Sequence, residues 1–375
     1  MDYVISTRNK LRRKNAFGGE PGPARYLRVP GNQLPKPSHE AESARSWANE
    51  VTRRALPGAD PSADHPAGDV LIFIHGYNND LSVVMWRHRM LKKGLEGLGY
   101  RGTVVSFDWP SESSALNYLE DRQDARKTAL LLVTHGIKPL TARQTNGCEV
   151  NVHLLAHSTG AFVIREAFDD ADDHKGLAHY NWTVSQIAFI GADVAARSMN
   201  ARDSKSSSIY RHCVRLTNYT NRYDKVLKLS NIKRVGVAPR AGRIGLPGDA
   251  PDKAVDIDCS AYFAGLDRPF LQCPQHAITQ FVLGKILANA ARLDDPGRDQ
   301  LRFLVGIETR CAAGAFASAP YLHAIAGDPG VHHPGIVMIA KRAPHPIRSV
   351  SVDRVRPAQG QRGLTGLVLG LSLIH

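Results

Sequence analysis

The stretch Val150-Asn151-Val152-His153-Leu154-Leu155-Ala156-His157-Ser158-Thr159-Gly160-Ala161-Phe162-Val163-Ile164 reads as an apolar strand, a sharp turn and a helix, with a serine at the turn. Such a turn is where a nucleophile elbow holds a serine over the end of a sheet. Strand and helix approach closely there, so small residues are needed two before and two after the serine. Gly160 meets the second need, and Ala156 stands where a glycine is usual. The plainer reading of Ser158 is a helix N-cap.

A serine hydroxyl attacks a carbonyl only when a base accepts its proton. The oxyanion that forms needs two donors. The backbone N–H of Thr159 is one candidate. The second comes from Phe73-Ile74-His75-Gly76-Tyr77-Asn78-Asn79, a turn directly off an earlier apolar run, through the N–H of Tyr77. His75 itself reads as a buried histidine holding that loop by hydrogen bonds. An elbow of this kind is followed in the chain by an acid and then a histidine. Asp224 follows the apolar run Val214–Tyr219, and His276 follows Ala254–Ile257 and a loop. The expectation is His276 as general base, with Asp224 accepting its Nδ1–H. Asp193, after Ile187–Ile190, is the alternative acid. His212 is the rival base, but it precedes its strand and belongs to the wrong edge of the sheet. Trp109 is a candidate pocket wall or equally an aromatic core plug, and His157 is a second pocket candidate.

These side chains need a platform. Continuous apolar runs at Val70–Ile74, Thr103–Phe107, Val150–Leu155, Ile187–Ile190, Val214–Tyr219 and Ala254–Ile257 mark strands buried on both faces. Helical patterns at Leu81–Leu98, Tyr118–Ile137 and from Ala161 to Phe168 lie between several of them, and Glu40–Ala55 has the same three- and four-residue spacing. Alternation of this kind implies an α/β protein with a doubly wound, mostly parallel sheet. Tyr3–Ile5 and Tyr26–Val29 are short enough to be edge strands. The expected organisation is edge strands and a linker over 1–68, a catalytic domain over 69–305 and an irregular tail over 306–375. The final five residues, Leu371-Ser372-Leu373-Ile374-His375, resemble a translated sequencing adapter, so residues beyond about 305 stand outside the fold reading.

Composition narrows the class. The 375 residues are 43% hydrophobic and 22% charged, the balance of a chain that buries a core. No run reaches the ~18–20 apolar residues of a membrane span. The N-terminus has no apolar signal region, so a soluble, cytoplasmic protein is expected. The five cysteines never fall in a C-x-x-C pair and imply neither a disulfide framework nor a zinc ribbon. The net charge of +13 reads as a solvated basic surface, because its Lys and Arg runs are short and terminal (Lys10, Arg12, Arg13 and Lys14 at one end, Lys341 to Arg356 at the other). No specific nucleic-acid partner follows from it. His332, His333 and His345 lack a spaced partner for a metal, and no phosphate-binding glycine motif occurs. Neither metal nor cofactor is expected.

Three segments together resemble a little-characterised, esterase- and lipase-like branch of the α/β-hydrolases. They are His75-Gly76-Tyr77-Asn78 (H-G-[FY]-N), Ser106-Phe107-Asp108-Trp109-Pro110-Ser111 (S-F-x-W-P-S) and Ala156-His157-Ser158-Thr159-Gly160 (A-H-S-x-G). The branch's N-D-[RK]-A-L is matched by Tyr223-Asp224-Lys225-Val226-Leu227, departing at Tyr223 and Val226. Its I-D-x-S and later histidine are matched by Ile257-Asp258-Cys259-Ser260 and Gln275-His276-Ala277, departing beside the histidine. The resemblance covers roughly residues 1–295 and implies the fold and an ester-cleaving activity. The connection from Asp193 to His212 is too short for a large cap domain. An accessible site for a small-molecule ester with a short acyl group is therefore expected. Thioesterase and acyltransferase chemistry would use the same triad, and a catalytically silent binding module would keep the same fold.

Overall fold

The computed structural model describes residues 1–56, 68–97, 100–111, 118–142, 150–178, 182–224, 227, 238–260 and 349–351. The expected base His276, the histidines at 332, 333 and 345, and nearly all of the tail lie outside the described residues.

Among the described residues nine strands form one sheet: β1 (Asp2–Lys10), β2 (Phe17–Val29), β3 (Gly68–Ile74), β4 (Thr103–Asp108), β5 (Val150–His157), β6 (Val184–Ile190), β7 (Cys213–Thr220), β8 (Ala254–Asp258) and β9 (Ser349–Ser351). Their order is β2-β1-β4-β3-β5-β6-β7-β8-β9. Every pairing is parallel except β1 with β2. The mostly parallel, doubly wound sheet expected from the alternation is the observed one. The N-terminal hairpin is integral to it, because β1 lies between β2 and β4 with Tyr3 opposite Val105.

Parallel strands need helical crossovers on both faces. Val70, Ile72 and Ile74 of β3 join one buried cluster with Trp47 and Val51 of α1 (Ala44–Ala55), Ala129 of α3 (Tyr118–Leu131) and Phe162 of α5 (Thr159–Asp173). Leu71 and Phe73, pointing the other way, pack with Leu91 and Leu95 of α2 (Leu81–Gly97). Helix starts follow local chemistry. Ser43 Oγ accepts the Ser46 amide at 3.1 Å to begin α1, and Asp80 Oδ1 accepts the Val83 amide at 2.9 Å to begin α2. The 118–137 pattern is not one uniform helix. α3 passes into a π-helical turn, Leu132–Ile137, before the short α4 (Lys138–Thr141). The Lys138 N–H reaches the Val133 carbonyl five residues back, and Pro139, which has no N–H to give, stands in the first turn of α4.

Between β6 and β7, residues 191–212 hold only a 3-10 turn, Ala196–Met199, and a short helix, Ser207–Arg211. That is too little chain for a cap domain at this point. No helix among the described residues is long and apolar enough to cross a membrane.

Candidate active site

Because β1, β4, β3, β5, β6 and β7 are mutually parallel, their carboxyl ends share one rim of the sheet. Ser158 sits on that rim between β5 and α5 with φ 56° and ψ −120°. Few L residues adopt positive φ, and holding one there costs on the order of 1–3 kcal/mol. Neighbouring backbone fixes it on both sides. The Ser158 amide donates to the Ile190 carbonyl at 3.0 Å, and its own carbonyl accepts the Ala161 and Asp193 amides, each at 3.1 Å. The Ser158 side chain makes no capping bond to α5.

Two glycines let the backbone close around the serine. A Cβ on Gly160 would stand 2.4 Å from the Ile74 carbonyl oxygen, so the start of α5 touches the end of β3. A Cβ on Gly76 would stand 3.0 Å from Ser158 Cβ and 3.1 Å from His157 Nδ1. The loop carrying Gly76 and Tyr77 therefore lies against the elbow. Asn78 turns that loop with φ 58°. Asn79 Nδ2 donates to the carbonyls of Gly76 at 2.6 Å and Tyr77 at 2.8 Å.

His75 is fully buried, with Nδ1 2.8 Å from the Gly76 carbonyl and its ring stacked on Trp109 at 5.2 Å. Burial holds its pKa below the ordinary imidazole value, against the opposing pull of Asp108. It is a buried, loop-holding histidine. Trp109 is also fully buried and donates Nε1–H to the His75 carbonyl at 2.8 Å. Its ring belongs to the buried core cluster. His157 is nearly buried at 3% exposure, beside Gly76.

The two acids follow successive strands. Asp193 comes after β6, and its Oδ1 is 3.1 Å from Arg240 Nε, both side chains being buried. Asp224 comes after β7, is 1% exposed, and accepts the Leu227 amide on Oδ1 at 2.8 Å. Thr159 is buried at the first position of α5. His212 stands before β7 at the opposite edge, with its ring stacked 3.8 Å from Trp182 and Nδ1 2.9 Å from the Trp182 carbonyl. The structure thus brings Ser158, Thr159, the Gly76–Tyr77 loop and Asp193 together, and sets Asp224 two strands along the same rim.

Sequence reasoning missed Arg8, Asp108 and Arg240. Each is a charged residue beside an apolar stretch whose partner is remote in the chain. A cavity of about 400 Å³ also opens beside Arg8, lined by Phe17, Leu34, Asp80, Leu81 and Ser111 among others, and none of the expected site residues lines it.

A family model described as an alpha/beta hydrolase of unknown function (DUF900) matches residues 61–251. Among solved structures, the chain is similar to a cutinase from Trichoderma reesei in complex with a phosphonate inhibitor, at 14% identity over 70% of this chain and 90% of that one, with a TM-score of 0.26. It is also similar to a cutinase-like protein from Cryptococcus sp. (15% identity, 60% and 94% covered, TM-score 0.28). A thioesterase from the prodiginine biosynthetic pathway of Streptomyces coelicolor matches at 15% identity, with 62% and 95% covered and a TM-score of 0.26. No curated protein matches the sequence.

Proposed function

The chain belongs to the DUF900 family of alpha/beta hydrolases of unknown function, and on that premise we propose that it is a serine hydrolase that cleaves carboxylic esters of small or short-acyl substrates. The observation carrying the proposal is the strained serine at the strand–helix turn, with φ 56°, packed against Gly76. A positive φ at a buried serine is costly, and an elbow that holds a nucleophile at the carboxyl rim of the sheet gives that cost a purpose.

In this reading, His276 takes the Ser158 proton as Oγ attacks the ester carbonyl. The amides of Tyr77 and Thr159 receive the oxyanion, aided by the N-terminal field of α5. The tetrahedral intermediate collapses, and the alcohol leaves with the proton returned by His276. Water, deprotonated by the same imidazole, then attacks the acyl-enzyme and releases the acid. Asp224 orients the imidazole through Nδ1–H. The pairing of Asp193 with buried Arg240 supports this choice of acid, since that carboxylate already has a cationic partner.

The test is hydrolysis of a p-nitrophenyl ester chain-length series by the wild type and Ser158→Ala. Turnover highest at short acyl chains and lost in the variant is expected. Equal rates in the two proteins would refute the serine assignment.

A further inference from the structure

Arg8 belongs to the N-terminal hairpin, outside residues 61–251, yet it reaches the loop beside Ser158. Its Nε lies 2.9 Å from Asp108 Oδ1 and 3.2 Å from Oδ2, and its Nη2 donates to the Asn79 carbonyl at 2.9 Å. Ser6 donates to Asp108 Oδ2 at 2.7 Å. His75 Nε2 stands 3.5 Å from Asp108 Oδ1, an electrostatic contact more than a hydrogen bond. Asp108 and His75 are fully buried, and Arg8 is 4% exposed. Ser111 then closes the loop, accepting the Asn79 amide and donating to its carbonyl, both at 3.1 Å.

The chain of contacts runs from the hairpin to both ends of the Gly76–Asn79 turn. We propose that Arg8, through its ion pair with Asp108, is a positioning residue for the oxyanion hole: it fixes the turn so that the Tyr77 amide faces the developing negative charge. This rests on the ester-hydrolase reading above. A guanidinium suits the task because its planar fork binds the carboxylate and a backbone carbonyl at once, which an ammonium cannot do in the same geometry. A purely structural pair would stabilise the fold without changing how well the transition state is held.

The test uses the full chain, comparing wild type, Arg8→Lys and the double variant Arg8→Met with Asp108→Leu, which removes both charges and leaves neither buried alone. Steady-state ester hydrolysis is read together with amide exchange in the peptide spanning 74–80. Loss of an oxyanion donor lowers turnover by about 10²–10³-fold. The double variant is expected to lose kcat on that order with KM changed less than about threefold, and to exchange faster in that peptide alone. Arg8→Lys should lie between. Wild-type kcat and exchange in a folded double variant would overturn the proposal. If the double variant fails to fold, Arg8→Lys decides in the same way. A wild type that hydrolyses no ester would instead remove the ester reading and the oxyanion role with it, while loop exchange in the variants would still show whether Arg8 holds the turn.

Discussion

Asp108 and Asp256 are buried carboxylates in the same sheet, on opposite sides of β5, and their chemistry diverges. Burial raises the pKa of Asp108, but Arg8, His75 and Ser6 outweigh it and hold the carboxyl below its ordinary value. Asp256 on β8 accepts, among the described residues, from the neutral Asn218 Nδ2 and Leu246 amide, both at 2.7 Å, and the Asp258 carboxylate nearby adds to the effect of burial. There burial wins, and its pKa is pushed up to about 6. The more deeply buried carboxylate is thus the fixed charge, and the less buried one titrates. The partner decides which. The fixed charge braces the loop beside the serine, and the titrating one sits behind β7 and the short helix Ala241–Ile244.

Removing one partner should break the comparison most forcefully. Asp108→Leu leaves Arg8 buried without its carboxylate and is expected to cost about 3–5 kcal/mol in urea unfolding. Gly160→Val comes next. Its Cβ alone would press the Ile74 carbonyl at 2.4 Å, and a loss of about 1–3 kcal/mol is expected from such overpacking. Asp256→Asn sharpens the contrast through pH. The folded pKa of about 6 stands above the ordinary aspartate value of 3.8, so the folded state binds the extra proton and the wild type loses stability as pH rises between those values. The variant should gain on the wild type over that window, by up to about 3 kcal/mol, and the gap should stay constant above it. Asp108 has the opposite sign. Its stabilisation is present above the ordinary carboxylate pKa and disappears as pH falls through its lower folded value. Acid titrations of the two variants should therefore bend in opposite directions. The smallest effect is expected at Ser43→Ala, where loss of the cap on α1 costs about 1 kcal/mol.

The central strands were legible because burial on both faces leaves nothing but apolar runs. Val70–Ile74 and Thr103–Phe107 differ from β3 and β4 by no more than two residues at either end. The hairpin was far less legible. Tyr3–Ile5 extends to nine residues because β1 is paired on both sides. β2 contains Pro21, Pro23 and three glycines within Phe17–Pro23, a poor strand by composition. It is tolerated as an edge strand, whose register shifts opposite Ser6–Lys10 take up the irregularity. At the site, the elbow was readable because strand, serine and glycine are consecutive. The Arg8–Asp108 brace was not, since its members are 100 residues apart and a single sequence carries no record of pairing. Trp109 shows the same limit: whether an aromatic after a strand plugs the core or lines a pocket depends on what stacks against it, here His75.

The claim that Ser158 is an acyl-transfer nucleophile is tested most directly by covalent capture. The full chain is treated with an alkyl fluorophosphonate, digested, and the peptide containing Ser158 weighed. A phosphonyl adduct is expected on Ser158 Oγ, formed in step with loss of ester turnover and absent from Ser158→Ala. A folded wild type whose Ser158 stays unmodified while a reference serine esterase in the same tube is fully labelled would contradict it.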